Sequence, residues 1–368
     1  MLSARLGTRF SARFSRAFSS SFVANANRAI VYEKPGDPTS VLSALTYPRL
    51  PDPPSGCVNV RFILSPINPA DVNVVEGVYP VKPSLDHSLV ADSPVFVGGN
   101  EGLAEITEVG CDVTGLRKGD RVVMGEQQLG TWTSARTLRA EEAVKVPHEI
   151  SEVAGATITV NPPTAYNMIH DFADLKEGDW LMQNGANSAV GQAVIQIAAR
   201  KGLETLNFVR SRGDLESLKH QLTTLGATKV LTYDDLDDKS LRDQVKGWTN
   251  GKASSNSPDA ELHAHLVSYG AMSKQPLSLP TSAFIFKNLK CHGFWQSRWN
   301  KEHSRQERET LYGNMTKMKL QESEHEILTI PASDNDNTAT QRIRDIFQKL
   351  SQGQYGKKVL LKIEQPAD

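Results

Sequence analysis

Between residues 183 and 199 the chain reads QNGANSAVGQAVIQIAA, which sets Gly185, Ser188 and Gly191 at three-residue intervals. Glycine at the first of these positions permits the tight turn that leaves a strand, and at the last permits close helix–strand approach. Trp180 to Gln183 reads as a short buried strand and Ala189 to Ala199 as a helix apolar on several faces. That strand-before, helix-after context makes the spacing a dinucleotide signal. Free amides at the helix start, near Asn187, Ser188, Ala189 and Val190, can hold a pyrophosphate. The next strand, Thr205 to Val209, ends in Arg210-Ser211-Arg212, about 20 residues past the glycines, where an NAD site would carry an acidic residue for the ribose hydroxyls. Two arginines favour a 2′-phosphate instead, and hence NADPH.

Metal chemistry finds no comparable pattern. The nine histidines show no HxxxH or HExxH spacing, and His263 and His265 have no cysteine neighbours. Cys57, Cys111 and Cys291 are far apart and lack CxxC spacing, so they read as three reduced structural thiols. The expectation is no catalytic zinc, which disfavours alcohol oxidation.

The elements that must position these groups belong to a chain of 368 residues, 39% hydrophobic, with formal net charge −1. That length accommodates two domains, and the charge gives no basic field for nucleic acid. No apolar run reaches the roughly 18 residues of a membrane span. At the amino terminus, Arg5, Arg9, Arg13 and Arg16 alternate with Leu2, Leu6, Phe10 and Phe14, serine is abundant, and no acidic residue precedes Glu33. This reads as a mitochondrial transit peptide over 1–25. Residues 28–150 carry Gly and Pro punctuation between short β-rich runs, such as Val58–Ile63, Leu103–Val109 and Arg121–Val123, as in a partly barrel-like β domain. From 151 a long helical stretch interrupted by proline leads into alternating strands and helices, implying a parallel sheet. The charge-dense run 298–309 reads as a solvated helical face, 332–338 as a polar loop, and the terminal KKVLLKI as a strand.

Taken together, these segments resemble the medium-chain dehydrogenase/reductase superfamily, over nearly all of the chain past residue 25. Its zinc alcohol dehydrogenases carry a metal-binding Cys and a G-H-E segment. Here the matching stretches are INPADVN (67–73) and VGGNEG (97–102), so Asn68 and Asn100 stand where Cys and His would. Within the zinc-free branch the chain is similar to the mitochondrial 2-enoyl thioester reductases, through INPADVNVVEGVYP (67–80), VNPPTAYNM (160–168), the glycine turn, VRSR (209–212), YGAMSKQP (269–276) and IFKNLKCHGFW (285–295). EGVYP and GFW carry most of the specificity.

The resemblance implies an α/β fold with a GroES-like, partly open β-barrel catalytic domain over 26–160. A Rossmann-type parallel-sheet NADPH domain spans 161–304, and 305–368 returns to the catalytic domain. It implies NADPH-dependent reduction of trans-2-enoyl thioesters, carried on acyl carrier protein or CoA, within fatty-acid synthesis in the mitochondrial matrix, by a homodimer. Tyr79 matches the catalytic tyrosine; a phenol can donate a hydrogen bond to a developing enolate while neutral near pH 7. Asn161 matches a cofactor-contacting Asn, Asn187–Val190 the phosphate turn, and Arg210, Ser211 and Arg212 the 2′-phosphate clamp. Tyr269, Gly270, Ala271 and Met272, with Phe294, Trp295, Gln296 and Ser297, match segments beside the nicotinamide; Lys357 matches a late cofactor contact. Trp295 could also wall the acyl pocket.

One stretch departs from the pattern. After the strand Val230–Tyr233 and the helix Leu241–Trp248 comes GKASSNSPD, polar where a buried strand is due. The Rossmann sheet is therefore expected to be one strand short. Either His265–Tyr269 takes the missing strand's place, or the sequence is a splice variant or faulty gene model. Two other functions stay open on sequence grounds: a zinc-free quinone or alkenal reductase, and an inactive shortened relative.

Overall fold

The computed structural model describes residues 26–89, 93–249, 264–270 and 275–367. The transit-peptide reading, the polar 250–262 stretch, Ala271 and Met272 lie outside them. The strands are β1 (Asn27–Tyr32), β2 (Ser43–Tyr47), β3 (Cys57–Pro66), β4 (Phe96–Val97), β5 (Leu103–Val109), β6 (Arg121–Met124), β7 (Ala135–Arg139), β8 (Ala143–Lys145), β9 (Trp180–Gln183), β10 (Glu204–Val209), β11 (Lys229–Thr232), β12 (His265–Ser268), β13 (Lys290–Gly293), β14 (His325–Ile330) and β15 (Lys358–Ile363). The helices are α1 (Pro38–Val41), α2 (Pro69–Val75), α3 (Glu152–Thr157), α4 (Asn161–His170), α5 (Ala189–Arg200), α6 (Leu215–Thr224), α7 (Leu241–Trp248), α8 (Thr281–Lys287), α9 (Gln296–Glu302), α10 (Arg305–Met318) and α11 (Asp336–Ser351).

Valine, isoleucine and phenylalanine in CVNVRFILSP suit a pleated, buried surface, and β3 is the hub of the larger sheet. Its order is β14-β15-β3-β5-β6-β8, with β7 also on β3. The outermost strands β14 and β8 do not pair with one another, so the barrel stays open. The carboxyl-terminal strand β15 pairs antiparallel with β3, Leu360 opposite Pro66 and Leu361 opposite Ser65. A residue late in the chain thereby reaches the same layer as residues 65–71. Trp132, fully buried, packs against Phe347 of α11 with ring centroids 5.4 Å apart. The glycine pair in VGGNEG exists for that indole: a Cβ on Gly98 would lie 2.2 Å from Trp132 Cε3, and Gly99 has φ +94°. Larger residues would push away the segment that carries Asn100 and Glu101.

The parallel strands form two sheets. One has the order β11-β10-β9; the other is β12 with β13. In a doubly wound order of 3-2-1-4-5-6 these are positions 3-2-1 and 5-6. Among the described residues position 4 is unfilled, and β12 does not move into it, because its register runs along β13 alone (His265 opposite Lys290 to Ser268 opposite Gly293). Of the two readings for the shortened region, replacement by His265–Tyr269 is thus not what the structure adopts. Among the described residues β9 is left with an open edge, and Met182 is 67% exposed. Helix α5 is buried on nearly every face. One side packs Ala193, Val194 and Ile197 on α4; the other packs Ile195 over Val209 and α6.

Three local expectations change. The 298–309 run is not merely solvated: Arg305 donates to the carbonyls of Ala140 (3.3 Å) and Ala143 (2.9 Å), and Arg308 to that of Gly125 (2.9 Å). Guanidinium forks here satisfy backbone oxygens of the β domain. The 332–338 stretch is a loop only as far as Asn335, and Asp336 opens α11, since Asn335 Oδ1 accepts from Thr338 N at 2.9 Å and caps the helix. Pro162 and Pro163 start α4 instead of kinking one long helix.

Candidate active site

Tyr79 is delivered by the end of α2. Gly77, at φ +79°, turns the chain out of the helix, and the amides of Val78 and Tyr79 both bond Asn73 O, at 3.0 and 3.1 Å. The half-buried phenol meets Trp295 and Ser297, which come from the β13–α9 junction more than 200 residues later. Trp295 Nε1 donates to Tyr79 Oη at 2.7 Å, and the rings cross edge-on with centroids 5.9 Å apart. Ser297 Oγ lies 3.3 Å from the phenol oxygen. Ser297 also donates to Gln127 Oε1. With its own proton spent on Gln127, Ser297 is an acceptor toward Tyr79. The phenol oxygen is therefore fixed by an indole donor while its proton sits in a long, weak hydrogen bond. Their neighbours do other work: Phe294 packs edge-on against Phe172, and Gln296 accepts from Asn167 Nδ2 at 3.2 Å. Alternate residues of GFWQS thus face the phenol and the core, and Phe294 and Gln296 stand on the packing side.

Gly185 has φ +57° and open space where a Cβ would stand. Ser188 caps α5 by accepting from Gly191 N at 3.0 Å. The first-turn amides of Ala189 and Val190 have no intrahelical acceptor and aim out of the helix start. At Gly191 the close approach is to the turn itself: a Cβ would fall 2.6 Å from Ala186 O. Tyr269, at the end of β12, hydrogen-bonds Ser188, and burial raises its pKa. Gly270 follows it. Arg210 is exposed, with no hydrogen bond or ion pair among the described residues. Arg212 is held by Asp214, which raises its pKa, and Ser211 bonds Asp234. The expected clamp thus offers one ready cation, Arg210, and one already engaged. Lys357 lies 4.0 Å from Glu324 and is about half exposed. A glycine at positive φ with free space, outward amides and an exposed arginine together fit NADPH.

A cluster that sequence reasoning missed lies behind these groups. Asn68 and Asn100 are buried with Asp71 and Glu101. Asn68 Nδ2 donates to Glu101 Oε2 at 2.9 Å, and Asn68 N to Asp71 Oδ2 at 2.6 Å. Asn100 donates to Asp71, and Gln128 N to Asn100 Oδ1 at 2.9 Å. Lys358 Nζ donates to Asn68 Oδ1, to which Asn161 Nδ2 also donates at 3.3 Å. Burial pushes Asp71 up to about 6 and Glu101 up to about 8, and the Lys358 ammonium down. The adjacent Lys357 was the sequence candidate; strand alternation sends Lys358 inward instead. The capping box of α2 (Asn68 with Asp71) was the one available signal.

An open barrel joined to a parallel-sheet nucleotide unit, with a phenol at their junction, defines a reductase of the medium-chain dehydrogenase/reductase class. A profile described as the alcohol dehydrogenase GroES-like domain matches residues 54–155. Over 300 residues the chain is 40% identical to the mitochondrial enoyl-[acyl-carrier-protein] reductase of Xenopus tropicalis, covering 79% of this chain and 83% of that one. The solved Etr1p complex with NADP and crotonyl-CoA superposes with TM-score 0.82 at 28% identity, over 92% of this chain and 100% of that one. The mitochondrial 2-enoyl thioester reductase Etr1p/Etr2p heterodimer of Candida tropicalis gives 0.81 at 27%, over 92% and 100%. The chain belongs to the mitochondrial enoyl-[acyl-carrier-protein] reductase family.

Proposed function

We propose that this chain reduces the carbon–carbon double bond of trans-2-enoyl thioesters with NADPH, in the mitochondrion, and that Tyr79 is its proton donor. The single observation carrying this is the convergence of Trp295 and Ser297 on the Tyr79 hydroxyl. Bound NADPH supplies hydride to the electrophilic β-carbon, leaving enolate charge on the thioester oxygen. Tyr79 donates to that oxygen and passes its proton to the α-carbon, so the substrate gains one hydride and one proton. The Trp295 N–H remains directed at the phenol oxygen once the proton has left, holding the charge in place. Ser297 and Gln127 keep the hydroxyl aimed.

Arg210 serves the 2′-phosphate, the turn Asn187–Val190 the pyrophosphate, Tyr269 the turn through Ser188, and Asn161 is a cofactor contact. Ala271 and Met272 belong to this reading by motif alone. A second copy of this chain is the proposed partner, supported by the exposed Phe284, Ile285 and Phe286 of α8 (42%, 67% and 76%), the helix just ahead of β13.

The test is steady-state turnover of NADPH with 2-hexenoyl-CoA against a quinone. Tyr79→Phe should lower kcat by about 10²-fold or more while leaving NADPH affinity unchanged, the loss typical of a removed general acid. An unaltered rate removes Tyr79 from the mechanism, and preference for the quinone refutes the substrate class. The interrupted parallel sheet supports a second reading, an inactive relative. In that case saturating NADPH leaves the thermal midpoint unmoved, whereas a ligand that binds the native state raises it.

A further inference from the structure

We propose that Lys358 is a positioning residue for the cofactor side of the site, acting through the Asn68 carboxamide on Asn161. Asn68 is the hub of the buried cluster. Its Oδ1 accepts from both Lys358 Nζ and Asn161 Nδ2, and its Nδ2 donates to Glu101. An amide with donor and acceptor ends both engaged cannot flip without leaving buried polar groups unpaired. Each end is held by an ionisable side chain: Glu101, fully buried in β-domain packing, on one side and Lys358 on the other. Coulombic attraction from the neighbouring acidic groups opposes the burial that lowers the Lys358 pKa, and Asp71 is the carboxylate ionised near neutral pH.

A second observation ties the cluster to α5. Lys358 and Asn161 both line a cavity of about 450 Å³ that also takes in Ala189 and Ala193 of α5, the helix whose amino end carries the phosphate turn. The chain of contacts therefore runs from the carboxyl-terminal strand β15, through α2, to the first residue of α4. That residue is the one read as a cofactor contact. In this arrangement Lys358 sets the Asn161 side chain through the Asn68 carboxamide by hydrogen bonding alone.

The inference rests on the reading of Asn161 as a cofactor contact, and the experiment separates the two. The NADPH dissociation constant is measured by quenching of tryptophan fluorescence in the purified chain. The variants are Lys358→Gln, Lys358→Arg, Asn68→Ala, Asn161→Ala and the double variant Lys358→Gln with Asn161→Ala; kcat and KM for 2-hexenoyl-CoA are taken alongside. Lys358→Gln should weaken NADPH about tenfold, as expected for one hydrogen bond from a charged donor, with partial recovery in Lys358→Arg. In the Asn161→Ala background the same substitution should change the constant by less than about twofold, because residues in one network are non-additive. A full further loss in that background overturns the proposal and leaves the Asn161 assignment standing. Wild-type affinity in Asn161→Ala overturns that assignment and the proposal with it. If Lys358→Gln does not fold, Asn68→Ala carries the test, since it leaves Asp71, Glu101 and Lys358 in place. Wild-type NADPH affinity in Asn68→Ala overturns the proposal.

Discussion

Replacing Gly191 by alanine isolates the phosphate turn from the rest of the molecule. A Cβ built at this position meets three backbone atoms of Ala186, at 2.6, 2.7 and 2.8 Å. These are not the ends of flexible side chains, so α5 and the turn must separate by several tenths of an ångström. Two stability terms oppose each other. Alanine gains about 1 kcal/mol over glycine in a helix interior, and overpacking costs about 1–3 kcal/mol. The net effect on folding is a loss of about 0–2 kcal/mol.

The cofactor term has no such offset. The displaced atoms belong to the turn proposed to hold the pyrophosphate, and Gly191 N is itself the donor to the Ser188 cap. NADPH should bind roughly 10- to 100-fold more weakly, the equivalent of losing one or two charge-assisted hydrogen bonds. Fluorescence titration with NADPH reads this, and a urea melt of the unliganded chain reads the folding term. Wild-type affinity with an unchanged melt would refute the claim that this contact shapes the cofactor site.

Arg210→Ala should weaken NADPH by about tenfold or more and NADH hardly at all, because the guanidinium is the uncommitted cation where a 2′-phosphate would lie; equal losses for the two cofactors would contradict the assignment. The buried carboxyls make stability fall as pH rises. Glu101 holds in the folded state a proton that the unfolded chain releases near its ordinary value of 4.5, so its contribution is complete below that pH and is lost as pH rises through about 8. Asp71 acts in the same direction between 3.8 and about 6. Glu101→Gln should flatten the decline in urea midpoint between pH 5 and 8, which would be disproved by identical slopes. Phe284→Glu with Ile285→Glu should shift the sedimentation coefficient from dimer to monomer with an unchanged circular dichroism spectrum; a monomeric parent chain would rule out this interface.

What was legible in the sequence was local. β9, α5, β10 and α7 stand within a residue of where their patterns placed them, because strand runs, glycine turns and a polar helix cap act over a few neighbours. The same holds for Gly185, whose positive φ the turn demands, and for the Arg210 position at the end of β10. What the sequence could not place were groups joined across long separations. Lys358 was overlooked beside Lys357 because only pairing of β15 with β3 decides which lysine points inward. The 298–309 charges read as solvated because the carbonyls they bond lie some 160 to 180 residues away in sequence.

The amino-acid order by itself determined the elements, the dinucleotide turn and the candidate phenol, since each depends on side-chain type at short spacing. Only the tertiary structure decided that Trp295 and Ser297 flank Tyr79, that Lys358 rather than Lys357 meets the buried Asn68, and that β12 stays with β13 rather than closing on β9. Those outcomes rest on which backbone edges and buried charges find partners, and a chain settles that only once its distant segments share one interior.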